Sequence, residues 1–403
     1  MFKETIKKNL PPSWHESLIK DISDVVRGSS PRPAGSPLYF DGDFLPWTTV
    51  ADLTKDEGMY LEKTRSMLTE EGAKLTRTIH PGTLLLTNSG ATLGVPKISR
   101  IKSGANDGIA MLLNLKGVTT EYAYYFLSSK TQFFREVIAP GVGQPNLNTD
   151  LIGGITIPIP PILEQNQITK ILSTWDHAIT IINQLIAIAK NEQQAISGSL
   201  LSGKKRFPNF GNWKNKVIGD LINENRAQGT TGNIAKKLTV RLYGQGVIAK
   251  NEKRLGSEST KYYTRSAGQF IYSKLDFLNG AFGIIPEHLD GYESTLDLPA
   301  FDFKESVDTL WFLKYVSQES FYKSNIDLAN GGRKARRVNP ADFLKIKISV
   351  PPYEEQKKIS WAISVANREI EVLQFKLNCL KQEKKALMQQ LLTGKRRVKV
   401  EAA

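Results

Sequence analysis

The strongest constraint in this chain of 403 residues is an internal repeat. Residues 155–207 align with residues 346–398 at a constant offset of 191, without a gap, and 17 of the 53 aligned positions are identical. A gapless repeat of this length exceeds one small supersecondary unit, which indicates two copies of a whole module rather than a solenoid. The sequence therefore predicts a fold with two related halves.

Each copy of the repeat has the end signals of one long helix. It opens with two prolines followed by acidic and amide residues, and it closes with Leu-Leu, Ser or Thr, Gly and then basic residues. Proline and acidic residues favour the first turn of a helix, whereas glycine and basic residues favour its end. We therefore predict one helix per copy, each on the order of 50 Å long at about 1.5 Å per residue.

Apolar residues recur along both helices in the 4,3 spacing of a coiled-coil seam, with one gap at Gln193 and one at Lys384. Such a seam needs a partner helix to bury it, and the two helices most simply bury each other. The predicted seam positions are Ile168, Leu172, Trp175, Ile179, Ile182, Ile186, Ala189, Ile196 and Leu200, then Ile359, Ile363, Ala366, Ile370, Leu373, Leu377, Leu380, Leu387 and Leu391.

A twofold relation between the copies requires the two helices to run antiparallel. The register that pairs the seams places Ile168 opposite Leu391 and Leu200 opposite Ile359. It also places Lys384 beside the ring of Trp175, which could cover the lysine stem.

Two globular segments, 1–157 and 207–348, flank the helical segments 158–206 and 349–397, and residues 398–403 form a tail. Residues 82–94 match residues 268–280 and predict a strand, a loop and a second strand, while 122–137 and 309–325 have helical spacing. The predicted fold class is therefore α/β, with two pseudo-symmetric α/β domains separated by two long antiparallel coiled-coil helices.

The composition favours a polyanionic partner. The net charge is +14, and neutralising phosphates releases condensed counterions, so nucleic acid is the first candidate. The single cysteine, Cys379, excludes an intramolecular disulfide and suits a reducing cytoplasm. The chain has no apolar run long enough for a membrane span and no secretory signal at its amino terminus.

Catalytic motifs are missing from the sequence. It contains no P-loop, no dinucleotide-binding glycine motif, no HExxH and no CxxC pair, and its four histidines are scattered. Asp290, Asp302 and Lys304 match a nuclease spacing only nominally, and Val350 to Tyr353 is better interpreted as a helix start. We therefore predict a protein without catalytic activity, bound cofactor or metal.

The chain resembles the specificity subunit of type I restriction-modification systems. The resemblance covers residues 12–398. It rests on Gly42–Trp47, on Pro81–Gly94 and on the duplicated PPxxEQ...LL(S/T)GK(K/R)R helices, and on the order of these features along the chain. It implies two target recognition domains that each bind one half of a bipartite double-stranded DNA sequence. It also implies two methyltransferase (modification) subunits, with S-adenosylmethionine on those partners, and restriction subunits where the system cleaves DNA.

Base edges in the major groove are read by Arg, Lys, Asn, Gln, Ser or Thr on accessible loops. These residue types cluster in corresponding segments of the two globular parts. The predicted DNA contacts of the first are Asn88, Ser89, Thr92, Lys97, Arg100, Lys102, Gln144 and Asn146, and those of the second are Lys261, Tyr262, Tyr263, Arg265, Tyr272, Lys274, Arg333, Lys334, Arg336 and Arg337.

Two other functions are compatible with the sequence. A coiled-coil scaffold could bind proteins and contact nucleic acid without sequence choice, and a DNA footprint with two separated half-sites would exclude it. An enzyme acting alone would instead methylate DNA without any partner.

Overall fold

A computed structural model describes residues 10–138, 146–251, 256–330 and 336–399. Its contacts divide the chain into two compact units: Met1–Leu185 with Leu373–Ala403, and Ile186–Val372. Residues from each of the two long helical segments belong to both units. The two units are described in turn.

The first unit is built on two mixed sheets. One has the strand order β2-β10-β7-β8-β4 and the other the order β5-β3-β9-β6, and β1 pairs with β11. Most neighbours are antiparallel, but β4 with β8 and β3 with β9 are parallel. The strands are β1 (His15–Leu18), β2 (Asp24–Arg27), β3 (Phe40–Thr48), β4 (Tyr60–Leu61), β5 (Ser66–Leu68), β6 (Arg77–Ile79), β7 (Leu84–Thr87), β8 (Pro96–Ser99), β9 (Ser103–Ala105), β10 (Ile109–Leu113) and β11 (Thr156–Ile159).

The second unit repeats part of this plan. Its sheet β13-β21-β18-β19 corresponds to β2-β10-β7-β8, and its ribbon β12-β24 corresponds to β1-β11, while β14-β17-β20, β15-β16 and β22-β23 form smaller sheets. The strands are β12 (Lys214–Val217), β13 (Ile222–Asn225), β14 (Gln228–Thr231), β15 (Leu238–Val240), β16 (Val247–Ala249), β17 (Lys261–Thr264), β18 (Phe270–Tyr272), β19 (Phe282–Ile284), β20 (Glu293–Ser294), β21 (Ala300–Phe303), β22 (Ala329–Asn330), β23 (Arg337–Val338) and β24 (Lys347–Val350).

Two long helices and several short ones complete the fold. The helices are α1 (Ile19–Ile22), α2 (Val50–Leu53), α3 (Glu70–Lys74), α4 (Thr120–Phe133), α5 (Thr149–Gly153), α6 (Ile162–Leu201), α7 (Thr309–Val316), α8 (Glu319–Ser324), α9 (Pro340–Phe343) and α10 (Tyr353–Leu391). A π-helical turn at Phe134–Ile138 continues α4, and 3-10 turns lie at Ile218–Asp220, Phe277–Asn279, Glu287–Leu289 and Ile326–Leu328.

The predicted long helices are confirmed, and so is their antiparallel direction. Within the first unit, Glu164 near the start of α6 binds Arg397 beyond the end of α10, and Asp176 further along α6 binds Lys384. As the residue number increases along α6, the number of its partner residue in or after α10 decreases, so the two helices run antiparallel. Ile168 and Leu391 are both buried in the core of this unit, as the register predicts.

The seam differs from the prediction at two places. At the first, the predicted seam residue Ile196 is exposed. Next to it, Gln193 donates a hydrogen bond to the half-buried Ser197 of the same helix. Lys384 donates to Asp176 and lies 5.3 Å from the ring centroid of Tyr125, so the covering ring comes from α4 rather than from Trp175. The carboxylate of Asp176, the residue after Trp175, accepts a charge-assisted hydrogen bond from the Lys384 ammonium group, which an indole face cannot do.

Buried polar side chains at the start of each long helix make the same hydrogen bonds in both units. Gln165 accepts a hydrogen bond from the backbone N–H of Thr119, which caps α4, and donates to two carbonyls. Gln356 accepts from the N–H of Asp308, which caps α7, and also donates to two carbonyls. Because buried amides need every partner, these bonds fix the helix starts against the globular parts.

The adjoining glutamates are also matched. Glu164 is 1% exposed and receives hydrogen bonds from the Trp14 indole at 3.0 Å and from both ends of the Arg397 fork at 2.6 and 2.8 Å. Glu355 receives them from the Trp213 indole at 2.9 Å and from Arg206 at 3.2 and 2.8 Å. The repeated EQ pair therefore has a structural role, which periodicity alone did not reveal.

Two expectations about local structure change. The strand and loop of 82–94 and 268–280 are present, but the following strands begin beyond those segments, at Pro96 and Phe282. The helix expected over 309–325 is two helices, α7 and α8, separated by an extended Gln318. The bend lets Phe321 pack on Tyr315 and Tyr322 pack on Phe282, and this aromatic burial outweighs helix continuity.

Candidate nucleic-acid interface

In the first unit, three loops meet where β7 ends. The backbone N–H of Asn88 donates to the carbonyl of Gly108 at 2.9 Å, and the N–H of Leu147 donates to the carbonyl of Asn88 at 2.7 Å. Ser89 forms a β-bridge with Asn146. These bonds hold the β7–β8 loop, the turn before β10 and the segment before α5 together, and we call this arrangement the strand-end frame.

The second unit contains the same strand-end frame. The N–H of Lys274, just after β18, donates to the carbonyl of Asp297 at 2.9 Å, and the N–H of Val338 donates to the carbonyl of Lys274 at 3.1 Å. Asn148 and Asn339 occupy the caps of α5 and α9, at the same offset of 191. Lys274 therefore has the position of Asn88, and Val338 that of Leu147.

The frame of the first unit displays small polar groups. Asn88 is 2% exposed, its Nδ2 lies 3.5 Å from the carbonyl oxygen of Asp107, and its Oδ1 has no hydrogen-bond partner within the described residues. Ser89 is half-buried, while Thr92 and Asn146 are exposed. These side chains can donate and accept hydrogen bonds at a base edge.

The frame of the second unit displays cations. Lys274 is half-buried and Arg336 and Arg337 are exposed, with Nε of Arg337 3.7 Å from a carboxylate oxygen of Asp297. Gln144, Arg333 and Lys334, which were also predicted to contact DNA, lie outside the described residues.

Besides Asn88, three predicted DNA contacts are buried, and because their polar groups bind within the protein, the prediction for these three is corrected. Lys97 is 1% exposed and donates to the Asp56 carboxylate and to two carbonyls. Partial burial of Asp56 raises its pKa, but the hydrogen bond and the charge of Lys97 outweigh this and leave the pKa below its ordinary value. Lys97 therefore anchors the 55–58 loop and has no surface to offer DNA.

Arg265 and Tyr272 are buried in the second unit. Arg265 is fully buried, donates to Ser294 Oγ at 2.8 Å and to the carbonyls of Asn225 and Leu298, and burial lowers its pKa to about 10. Tyr272 lies in the aromatic core and donates to the carbonyl of Val338 at 3.1 Å, and burial raises its pKa. Both hold the frame in place from inside.

The remaining candidates lie away from the frames. Arg100 and Lys102 are exposed, but they follow β8 at the end opposite to Asn88, since β7 and β8 are antiparallel. Arg100 lies 3.7 Å from the ring centroid of Tyr60 and pairs with Glu62. Lys261, Tyr262 and Tyr263 are on β17, in the separate sheet β14-β17-β20, where Lys261 is exposed and both tyrosines are half-buried.

Sequence reasoning missed an arginine and an aspartate at the first frame. Arg32 follows β2 in the loop 28–36, and its Nη2 lies 3.1 Å from Oδ2 of Asp107, in the turn before β10. The proline-rich stretch SSPRP directly after a strand was the available signal for a shaped loop.

Apolar side chains are also exposed on the long helices of each unit. In the first unit they include Ile181, Leu185 and Phe375, the last 72% exposed. In the second unit they include Ile188, Trp361 and Val372, with Trp361 68% exposed. Large exposed rings are typical of protein-binding surfaces.

The nuclease-like residues have other partners. Asp302 accepts hydrogen bonds from Asn225 and Gln269, and Lys304 donates to a backbone carbonyl. Across residues 10–138, 146–251, 256–330 and 336–399 there is no group of His, Cys, Asp and Glu that could hold a metal ion. In the same ranges, every helix is too short or too polar to cross a bilayer.

Comparison with known proteins gives consistent results. The family model described as "Type I restriction modification DNA specificity domain" matches residues 11–191. The MjaIX specificity subunit of Methanocaldococcus jannaschii is 34% identical over 181 residues, which are 44% of this chain and only 41% of that protein. The putative MjaX specificity subunit of the same organism is 25% identical over 99% of this chain and 97% of its own length.

A solved structure shows the same fold over nearly the whole chain. The HsdS subunit from Thermoanaerobacter tengcongensis matches with a TM-score of 0.56 and 14% identity, covering 97% of this chain and 99% of that one. The fold of α/β units with long antiparallel helices is therefore shared with that solved structure. The relatives that match this chain in sequence are thus specificity subunits of type I restriction enzymes, and the family model places the similarity of residues 11–191 in the DNA specificity domain of such systems.

Proposed function

We propose that this chain recognises a bipartite double-stranded DNA target, with one half-site read at the strand-end frame of each unit. The similarity of residues 11–191 to a type I restriction-modification DNA specificity domain supports DNA target recognition. The observation that supports the bipartite arrangement is the repetition of one backbone frame with different side chains. Two equal frames can hold two reading loops in the same geometry, while Asn88 and Asn146 in one and Lys274 and Arg337 in the other can select different bases.

The exposed residues at the frames are the proposed DNA contacts. In the first unit they are Ser89, Thr92 and Asn146, with Asn88 directly behind them. In the second they are Lys274, Arg336 and Arg337. The sequence adds Gln144 to the contacts of the first unit, and Arg333 and Lys334 to those of the second. Arg100, Lys102, Lys261, Tyr262 and Tyr263 remain proposed phosphate contacts, because phosphates line the duplex on both sides of the bases.

The exposed apolar residues on the long helices are the proposed docking surfaces for methyltransferase subunits. Because both units present such residues, we propose two methyltransferase subunits per chain, with restriction subunits joining where the system cleaves DNA. Adenine methylation, and S-adenosylmethionine, would belong to the partners, and the chain itself would have no catalytic activity. The complex would act in the cytoplasm, where the DNA is found and Cys379 stays reduced.

Footprinting of the complete methyltransferase complex on DNA tests the proposal. We expect two protected segments, separated by a spacer whose sequence can be changed without loss of binding. A complex that binds all sequences equally, or that needs one uninterrupted sequence, would exclude a bipartite target. Methylation by the isolated chain without a partner would show that it is an enzyme.

A further inference from the structure

We propose that Arg32, positioned by Asp107, reads a guanine in the half-site of the first unit. This inference rests on the proposed function and assigns one residue to one kind of base pair. Its starting point is an ion pair at the surface: Arg32 Nη2 lies 3.1 Å from Asp107 Oδ2, and the two side chains are 70% and 37% exposed.

Asp107 is held from several sides. Its other carboxylate oxygen accepts a hydrogen bond from Ser30 Oγ at 2.9 Å, and its backbone carbonyl accepts from Arg27 and lies 3.5 Å from Asn88 Nδ2. Gly108, the next residue, packs closely against Ser89, since a Cβ at position 108 would lie 3.1 Å from Ser89 Oγ. The carboxylate that orients Arg32 is thus fixed to the frame that holds Asn88 and Ser89.

A fixed arginine suits base reading better than phosphate contact. The guanidinium fork can bond O6 and N7 of guanine together, which is the commonest specific contact in the major groove. Orienting the fork beforehand lowers the entropy lost on binding. A neighbouring carboxylate would weaken a contact to phosphate by repulsion, so Asp107 favours a base edge as the partner of Arg32.

The surface around Arg32 has room for a base edge. A cleft of about 250 Å³ lies beside the loop and is lined by Arg32, Asp107 and Asn106, with Phe40 and Trp47 at its apolar side. The rings of Phe40 and Trp47 meet edge to face at 5.9 Å, and Trp47 is buried, so this side is rigid.

The second unit supports the inference independently. There, too, an aspartate of the frame faces an arginine: Asp297, whose carbonyl accepts from Lys274, lies 3.7 Å from Arg337. The arginine comes from a different loop, at the position that Asn146 has in the first unit. Both frames therefore present an arginine and aspartate pair although their loops differ in sequence.

The test uses the complete methyltransferase complex and oligonucleotides with each base pair of its target replaced in turn. For Arg32→Ala we expect discrimination at one G·C pair of the first half-site to fall roughly 10- to 100-fold, with the second half-site read as before. Arg32→Lys keeps the charge, and therefore the salt dependence, but should lose the same discrimination. Asp107→Asn should lose part of it. Lys74→Ala, which removes an exposed cation of the same unit, should leave discrimination unchanged.

Two results would overturn the assignment. One is an Arg32→Ala complex that binds all sequences more weakly by one factor, with a smaller salt slope, which identifies a phosphate contact. The other is unchanged reading of every G·C pair. Failure of the proposed function would look different, because the unmodified complex would then show no sequence preference, and intact reading of the second half-site shows that the variants are folded.

Discussion

The two units are most alike where their side chains are buried and least alike where they are exposed. Gln165 and Gln356 make equivalent hydrogen bonds, and Glu164 and Glu355 each bind one tryptophan and one arginine. At the strand-end frames the backbone bonds are equivalent, but the side chains of Ser89 and Asn146 in one frame have no match in Lys274 and Arg337 of the other. A buried polar group must find every partner, whereas an exposed side chain can vary at little cost, so one scaffold can carry two different reading surfaces.

The charge difference between the frames leads to the largest expected effect. Replacing Arg333, Lys334, Arg336 and Arg337 by alanine should weaken DNA binding by the second unit about 10³-fold at 0.15 M salt, because three phosphate contacts and the base contact of Arg337 are lost. Each lost phosphate contact should reduce the log–log salt slope by about 0.9. Titrations at several salt concentrations measure both quantities. Lys204→Ala with Lys205→Ala removes two exposed cations elsewhere, and an equal effect of that control would contradict the assignment.

The matched glutamates allow each unit to be weakened separately. Glu164→Ala removes the carboxylate that accepts from both the buried Trp14 indole and Arg397, and Glu355→Ala removes the one that accepts from Trp213 and Arg206. We expect each change to lower the free energy of unfolding of its own unit by about 3 kcal/mol, measured by denaturant titration. Substitution by glutamine keeps an acceptor and should cost less. Equal costs for alanine and glutamine would show that the hydrogen bonds contribute little.

The exposed rings on the long helices predict partner binding by both units. Trp361→Ala in the second unit should weaken the binding of one methyltransferase subunit by about 2 kcal/mol, roughly 30-fold, and Phe375→Ala in the first should weaken the other. Native mass spectrometry should show two partners on the unmodified chain and one on each variant at limiting concentration. A single partner on the unmodified chain would refute equivalent docking.

The smallest expected change is one of spacing. Four residues inserted into one long helix add about 6 Å, so the spacer between half-sites should lengthen by roughly two base pairs. Sequencing of methylated DNA would give the new spacer. Altered half-sites at constant spacing would show that the helices do not set this distance.

The sequence predicted what periodicity and end signals determine. The long helices and their direction follow from the gapless repeat, and the correspondence of Lys274 with Asn88 follows from the match of residues 82–94 with residues 268–280. The sequence could not separate buried cations from exposed ones. Lys97 and Arg265 are residue types that commonly contact DNA, but their burial depends on partners distant in sequence. Arg32 and Asp107 were missed for the same reason, since 75 residues separate the two members of the pair.

The most direct test of the two-frame account is a map of methylated adenines in a genome where this chain is expressed with its methyltransferase subunits. We expect one bipartite DNA motif, with a fixed spacer of about one to one and a half DNA turns and methylated adenine in both half-sites. Exchanging the loops of the second frame should change only one half-site. A continuous motif, or one whose two halves change together, would contradict the account.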